Sequence, residues 1–250
     1  MQLLRTLATC EQTVTEGACG GSVATRQTDT ARVPGNRSQV GNLVAVVAIA
    51  NQTLSYVEES VVEDDVLVAA RERAVDLGAS PIAPSVGALL SLFAQITNAR
   101  NVVEVGTGAG VSGLWLIDGM RTDGILTSID AEPEHQRAAR EAFRSGSIAP
   151  SRTRLINGRA LDVLPRLQDG NYDLVFVDTD PVDYPAYIEQ AVRLLRHGGA
   201  LLLHNAIPDS TQDETDTAAV RTAATAIAED ERLSSAFVPV GAGLMAAVRR

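Results

Sequence analysis

The chain has 250 residues, 45% of them hydrophobic, with a formal net charge of −10 and a pI near 4.8. That length buries one substantial core with room for an appendage, and an acidic surface without an aromatic-interleaved basic run argues against a nucleic-acid partner. All 21 basic residues are arginines, which removes any lysine base or Schiff base, and the two cysteines, Cys10 and Cys19, leave the core without a disulfide framework or a cysteine metal site, as in a cytoplasmic protein.

Residues 1–53 are rich in Thr, Gly, Ser and Gln and carry the turn signal Pro34-Gly35-Asn36. They are expected to form a flexible tail. Regular patterning begins near Tyr56, so translation is expected to start downstream of Met1. The longest uncharged apolar stretch, "LVAVVAIA" at 43–50, is too short to span a bilayer and has no signal-peptide layout, so the protein is expected to be soluble, with no membrane partner.

From Ser55 to Leu77 apolar positions recur at helical spacing, with Gly78 as a stop. After Pro81 and Pro84 comes "SVGALLSLFAQI", a helix apolar on most faces and therefore expected inside. The rhythm then changes. Strand-like runs at 101–105, 124–130, 153–157, 172–178 and 200–204 alternate with helical stretches near 111–120, 132–144, 159–167 and 183–196. This alternation predicts βαβ units and an α/β fold with a parallel sheet covered on both faces. A last helix near 214–230 and the runs "AFVPVG" and "LMAAVRR" predict a closing hairpin around Gly241–Gly243.

Ligands of such sheets gather at the carboxyl ends of the strands. Those ends carry Glu104, Asp130, Asn157, Asp178 and His204 with Asn205. The loop "EVGTGAGVSG" (104–113) lets a ligand approach free backbone N–H groups. Val111 stands where a nicotinamide fingerprint needs its third glycine, which weakens a dinucleotide reading. Asp130 can accept from both hydroxyls of a ribose or cap the following helix. Glu104 can bond loop amides instead of ligand, and Asp178 competes with Asp180 and Asp183 as a helix cap. His135 and His197 are expected to be solvated, and Trp115, Tyr184 and Tyr187 to pack against the sheet. The acidic loop 208–216 is expected to be a solvated helix start.

Taken in order, "VVEVGTGAGVSGLWL", "SIDAEPE", "GRALDVLPRL", "YDLVFVDTD" and "RLLRHGGALLLHNA" resemble the successive motifs of class I S-adenosylmethionine-dependent O-methyltransferases of the catechol/caffeoyl-CoA kind, over residues 54–250. The resemblance implies a Rossmann-like methyltransferase fold: a mostly parallel seven-stranded sheet with helices on both faces and an antiparallel last strand. It implies bound S-adenosylmethionine, with Ile82, Gly106, Thr107 and Ser112 at the methionine end and Glu104 in the same loop. Asp130 and Ala131 would take the ribose and adenine edge, Ala160 would lie against adenine, and Asp180 would lie near the cofactor. It also implies methyl transfer to a hydroxyl of a small aromatic acceptor. Homodimers are common among similar enzymes, and no sequence feature here demands one.

The family holds a divalent ion with an Asp after the fourth strand and an Asp-Asn pair after the fifth, beside a lysine. Asp178 and Asn205 keep two of these positions, His204 replaces the middle Asp and Pro181 the lysine. His204 is thus open to three roles: a ligand in an Asp178, His204, Asn205 set suited to manganese, iron or zinc; a base, with Asp178 beside it, that takes the acceptor's proton without metal; or a satisfied structural group. The alternatives to an active O-methyltransferase are a catalytically impaired S-adenosylmethionine-binding protein of the same fold and, more distantly, a nicotinamide-dependent oxidoreductase.

Overall fold

A computed structural model describes residues 52–208 and 214–250. Nearly all of the expected tail, and the middle of the acidic loop, lie outside the described residues. The elements run α1 (Asp65–Asp76), α2 (Pro84–Ile96), β1 (Asn101–Val105), α3 (Val111–Gly119), β2 (Ile125–Asp130), α4 (Pro133–Ser145) and β3 (Thr153–Asn157). They continue with α5 (Ala160–Val163), β4 (Tyr172–Val177), α6 (Tyr184–Leu194), β5 (Leu195–His204), α7 (Glu214–Glu229), β6 (Leu233–Val238) and β7 (Leu244–Arg249).

The strands form one seven-stranded sheet in the order β3-β2-β1-β4-β5-β7-β6. The first five are parallel, and β7 runs antiparallel to both of its neighbours, β5 and β6. Side chains alternate between two buried faces, which is why the strands read as continuous apolar runs. Val103, Val175 and Leu201 meet Ile188 of α6 and Ile227 of α7 on one face. Val102, Phe176 and Leu202 meet Val86 and Leu90 of α2, Leu116 of α3 and Phe143 of α4 on the other. The expected hairpin is present as β6 and β7.

Three segments differ from the sequence pattern for local reasons. The single helix expected from 55 to 77 is divided: residues 52–59 are helical, 60–64 are not, and α1 starts after Asp64. Asp64 is extended and its carboxylate accepts from the Leu67 N–H at 2.9 Å, an N-cap that interrupts the periodic run. The first piece has its own task. Glu58 accepts from the Ser85 N–H at 3.0 Å and from its hydroxyl at 2.5 Å, capping α2, whose own N-cap residue Ala83 has no side chain able to do so. The helix expected over 159–167 is one turn of α5 followed by a 3-10 turn, Leu164–Arg166, because Pro165 lacks the N–H that would continue it. Finally, β5 begins at Leu195, ahead of an irregularity opposite Tyr172–Leu174, and not at Ala200.

Candidate active site

Strand register sets the site. Val105 lies beside Ile129 and Val177, Asp130 beside Asn157, and Val177 beside Leu203. The chain therefore leaves the sheet at Gly106, Asp130, Asn157, Asp178 and His204 in one row. The sequence runs outward from β1 toward β3 on one side and from β4 toward β5 on the other, so the β1–β4 boundary is the switch point where α/β sheets open a crevice. A cleft of about 470 Å³ lies there, walled by Ile82, Gly106, Thr107, Ser112, Asp130, Ala131, Ala160, Asp178 and Asn205, all singled out by the sequence. His135, Arg159, Thr179, Asp183 and Tyr187 also line it.

The glycine loop is fixed from below. Gly106 has φ +93°, and a Cβ there would sit 1.9 Å from the Asp178 carbonyl oxygen, so no other residue allows β1 and β4 to separate at this point. Gly108, at φ +50°, faces open space within the cleft. One carboxylate oxygen of Asp130 accepts from the Thr107 and Gly108 N–H groups, each at 3.0 Å, and the other from the Glu132 N–H at 2.8 Å. Asp130 thus shapes both the loop and the entry to α4 while facing the cleft. His135 Nδ1 lies 3.2 Å from the same carboxylate. The expectation that His135 is solvated is therefore corrected: one helical turn brings it back over the strand tip.

Glu104 is fully buried behind Ser112. It accepts from the Ser112 hydroxyl at 2.6 Å and from Ser128 at 2.5 Å, so its partners are hydroxyls and not the loop amides expected. Ser128 is its register partner on β2. Gln136 of α4 donates to the Thr107 hydroxyl at 2.9 Å, which lies 2.7 Å from Ser128, so the donors run Gln136 to Thr107 to Ser128 to Glu104. Burial pushes the Glu104 carboxyl up to about 7; the two serine bonds oppose that rise, and the negative charges of Asp178 and Asp130 add to it.

On the other side of Gly106, Asp178 Oδ1 is shared. His204 Nδ1 lies 2.9 Å from it and the Asn205 side-chain amide donates to it at 3.0 Å. Asn205 holds φ +53°, a left-handed conformation that asparagine tolerates and that turns its side chain back to the cleft. His204 is 6% exposed, lies behind the cleft wall, and its Nε2 is buried with no hydrogen-bond partner. Tyr184, fully buried, donates to the His204 carbonyl at 2.9 Å and fixes the strand end. Burial and the nearby Asp178 charge hold the Tyr184 phenol well above its ordinary value.

Residues 55–250 match the O-methyltransferase family. The chain belongs to that family. A Mycobacterium sp. (strain KMS) protein that carries an O-methyltransferase name is 56% identical over 205 residues, covering 80% of this chain and 93% of the relative. Among solved structures, a Corynebacterium glutamicum protein is 35% identical with a TM-score of 0.74, covering 80% of this chain and 97% of that one. A Bacillus cereus O-methyltransferase in complex with SAH is 27% identical with a TM-score of 0.71, over 80% and 97% respectively.

Within this O-methyltransferase, two expected positions fall elsewhere. Asp180 is exposed and outside the cleft wall; it accepts from the Val182 N–H at 3.0 Å and caps the turn before α6. Asp178 is not a cap, because its carboxylate is spent on His204 and Asn205. Trp115 is half-buried, stacked where a Gly87 side chain would be, with its N–H 3.4 Å from Glu63; Tyr184 and Tyr187 are buried, as expected of sheet-packing residues. His197 is exposed and bonded to the Arg250 carbonyl.

The residues present do not fit the family's divalent ion. Among the described residues no group of three His, Cys, Asp or Glu converges on a metal position. With His204 in place of the middle carboxylate, Asp178 is the one anionic side chain of the set. A ligating imidazole donates its other N–H to an acceptor, and here Nε2 has none.

Proposed function

We propose that the cleft binds S-adenosylmethionine and that the enzyme moves its methyl group to a hydroxyl of a small aromatic acceptor. The observation that carries this is the glycine loop at the switch point, clamped by Asp130 beneath open space at Gly108. The S-adenosylhomocysteine bound by the Bacillus cereus relative supports it, as does a Streptomyces achromogenes O-methyltransferase in complex with SAM, 26% identical with a TM-score of 0.71 over 79% of this chain and 96% of that one.

Ile82, Gly106, Thr107 and Ser112 would hold the methionine end, with Glu104 acting through Ser112. Asp130 and Ala131 would face the ribose, and Ala160 the adenine, where Arg159 and His135 also line the wall. The cofactor supplies an electrophilic methyl on a sulfonium. The chain supplies position and a water-poor wall, which is most of what such a displacement needs. The missing lysine and the altered strand-end pair favour one other reading, a cofactor-binding protein without turnover.

No helix among the described residues is long and apolar enough to cross a membrane; a cytoplasmic place and a homodimer belong to the same proposal. Calorimetric titration with S-adenosylmethionine, with NAD as control, tests the cofactor: saturable binding of the first alone is expected. A panel of phenols assayed for S-adenosylhomocysteine then separates the enzyme from the inert binder.

A further inference from the structure

We propose that this enzyme transfers methyl groups without a divalent ion, His204 Nε2 taking the proton of the acceptor hydroxyl and Asp178 serving as its positioning residue. The inference rests on the cleft being a methyl-transfer site. An ionised Asp178 can only accept, so the hydrogen at the 2.9 Å contact sits on His204 Nδ1. In the neutral ring Nε2 is then a bare lone pair.

That lone pair has no partner in the folded chain. Leaving a buried polar atom unpaired is unfavourable, and natural sequences keep few such atoms without a use. The surroundings are apolar and small. From the point where a Gly241 side chain would begin, Val86 Cγ2 is 2.9 Å away, Ala83 Cβ 3.2 Å and His204 Nε2 3.9 Å. Nε2 therefore faces a space bounded by the start of α2 and the β6–β7 connection. Ile82 and Asn205, the chain neighbours of Ala83 and His204, line the cleft itself. An aromatic hydroxyl fits this space in chemistry and size, its ring against Ala83 and Val86 and its O–H toward Nε2, once the connection around Gly241 swings outward.

The strand end is held still for this purpose. Asn205 donates to the same Asp178 oxygen, and the Tyr184 hydroxyl pins the His204 carbonyl. These contacts fix ring orientation, the role a carboxylate plays toward a catalytic imidazole. In the step itself the acceptor oxygen bonds to the methyl carbon as its proton passes to Nε2. The carbon–sulfur bond breaks with its electron pair going to sulfur, which becomes a neutral thioether, and the proton later leaves His204 for solvent. No metal charge is needed to balance it.

The test uses the full chain. Selectively ¹⁵N-histidine-labelled protein has three imidazoles, and His204→Gln identifies the one of interest. Its nitrogen shifts are expected to show Nδ1–H and a bare Nε2, changing to the other tautomer in Asp178→Asn. With S-adenosylmethionine and a phenol panel, turnover is expected to survive exhaustive chelation and to be unchanged by added magnesium or manganese. His204→Gln is expected to lose about 10²- to 10⁴-fold in kcat and the acidic limb of the pH–rate profile, while its S-adenosylmethionine affinity stays within about twofold, a bound set by our reading that His204 lies off the cofactor wall. A resting enzyme with Nε2 protonated, manganese binding that Asp178→Asn abolishes, or chelated enzyme revived by a divalent ion would each overturn the proposal, the first two without any acceptor in hand. Failure to bind S-adenosylmethionine would instead remove the reading on which it rests.

Discussion

Replacing Glu104 by glutamine isolates the most perturbed carboxyl of the site. A carboxyl that ordinarily titrates near 4.5 and here titrates near 7 carries a differential of about 3 kcal/mol between the folded and unfolded chains. The sign follows from proton counts. Between those values the folded chain keeps a proton that the unfolded chain has lost, so Glu104 makes stability fall as pH rises from about 4.5 to about 7, after which its contribution is flat. The glutamine amide can still accept from one serine and donate to the other, so the network of Ser112 and Ser128 survives. Urea unfolding of both proteins at pH 5 and pH 8 measures the effect. The wild type is expected to lose about 3 kcal/mol more than Glu104→Gln across that interval, every other carboxylate cancelling in the comparison. Equal pH dependence in the two proteins would show that Glu104 is ionised throughout and that burial does not control it. The same carboxyl makes a binding prediction. A cationic ligand beside Ser112 favours the carboxylate, so S-adenosylmethionine binding near pH 6.5 should release a fraction of a proton, seen as a dependence of binding enthalpy on buffer ionisation heat and absent in the variant.

Gly106→Ala places a Cβ 1.9 Å from the Asp178 carbonyl and is expected to destabilise by more than about 3 kcal/mol or to prevent folding, read by thermal denaturation. Gly108→Ala, with open space around it, should cost only the left-handed backbone penalty of about 1 kcal/mol and act chiefly on cofactor affinity in calorimetry. Tyr184→Phe leaves the His204 carbonyl unpaired and should cost about 1–3 kcal/mol in urea unfolding. Arg71 bonds both Glu63 oxygens, at 2.8 and 2.6 Å, and the Ile82 carbonyl at 2.7 Å, so Arg71→Ala should loosen the cleft wall at Ile82 and weaken S-adenosylmethionine binding with less effect on stability.

The strands and their order of use were legible because a parallel sheet buried on both faces must be written as short apolar runs with polar tips. The interruptions were not legible for a different reason. Asp64 and Glu58 sit in an acid-rich helical pattern where nothing in the spacing distinguishes a cap from a solvated side chain. Glu58 in particular serves a helix that begins 26 residues later, at Pro84. Such a bond is set by tertiary packing and leaves no local mark. Pro165 was a legible stop that the apolar run around it obscured.

At the site, position in the strand was informative and partner identity was not. Every strand tip named from the sequence lies in one row, yet Asp180 and Asp178, two residues apart, diverge: one caps a turn in solvent and the other holds His204. Two signals could have found more. Ser128 is a polar residue two before Asp130 on the same face of an apolar strand, and Gln136 is a buried polar position of the otherwise amphipathic α4; together they complete the donor chain to Glu104. His204 presents the converse case. Its replacement of a carboxylate was visible in the sequence, but only the structure shows that one ring nitrogen is spent on Asp178 while the other faces Ala83, Val86 and Gly241 unpaired. A ring nitrogen so placed has use for a proton donor that the chain does not provide, and the acceptor hydroxyl is the donor that methyl transfer brings.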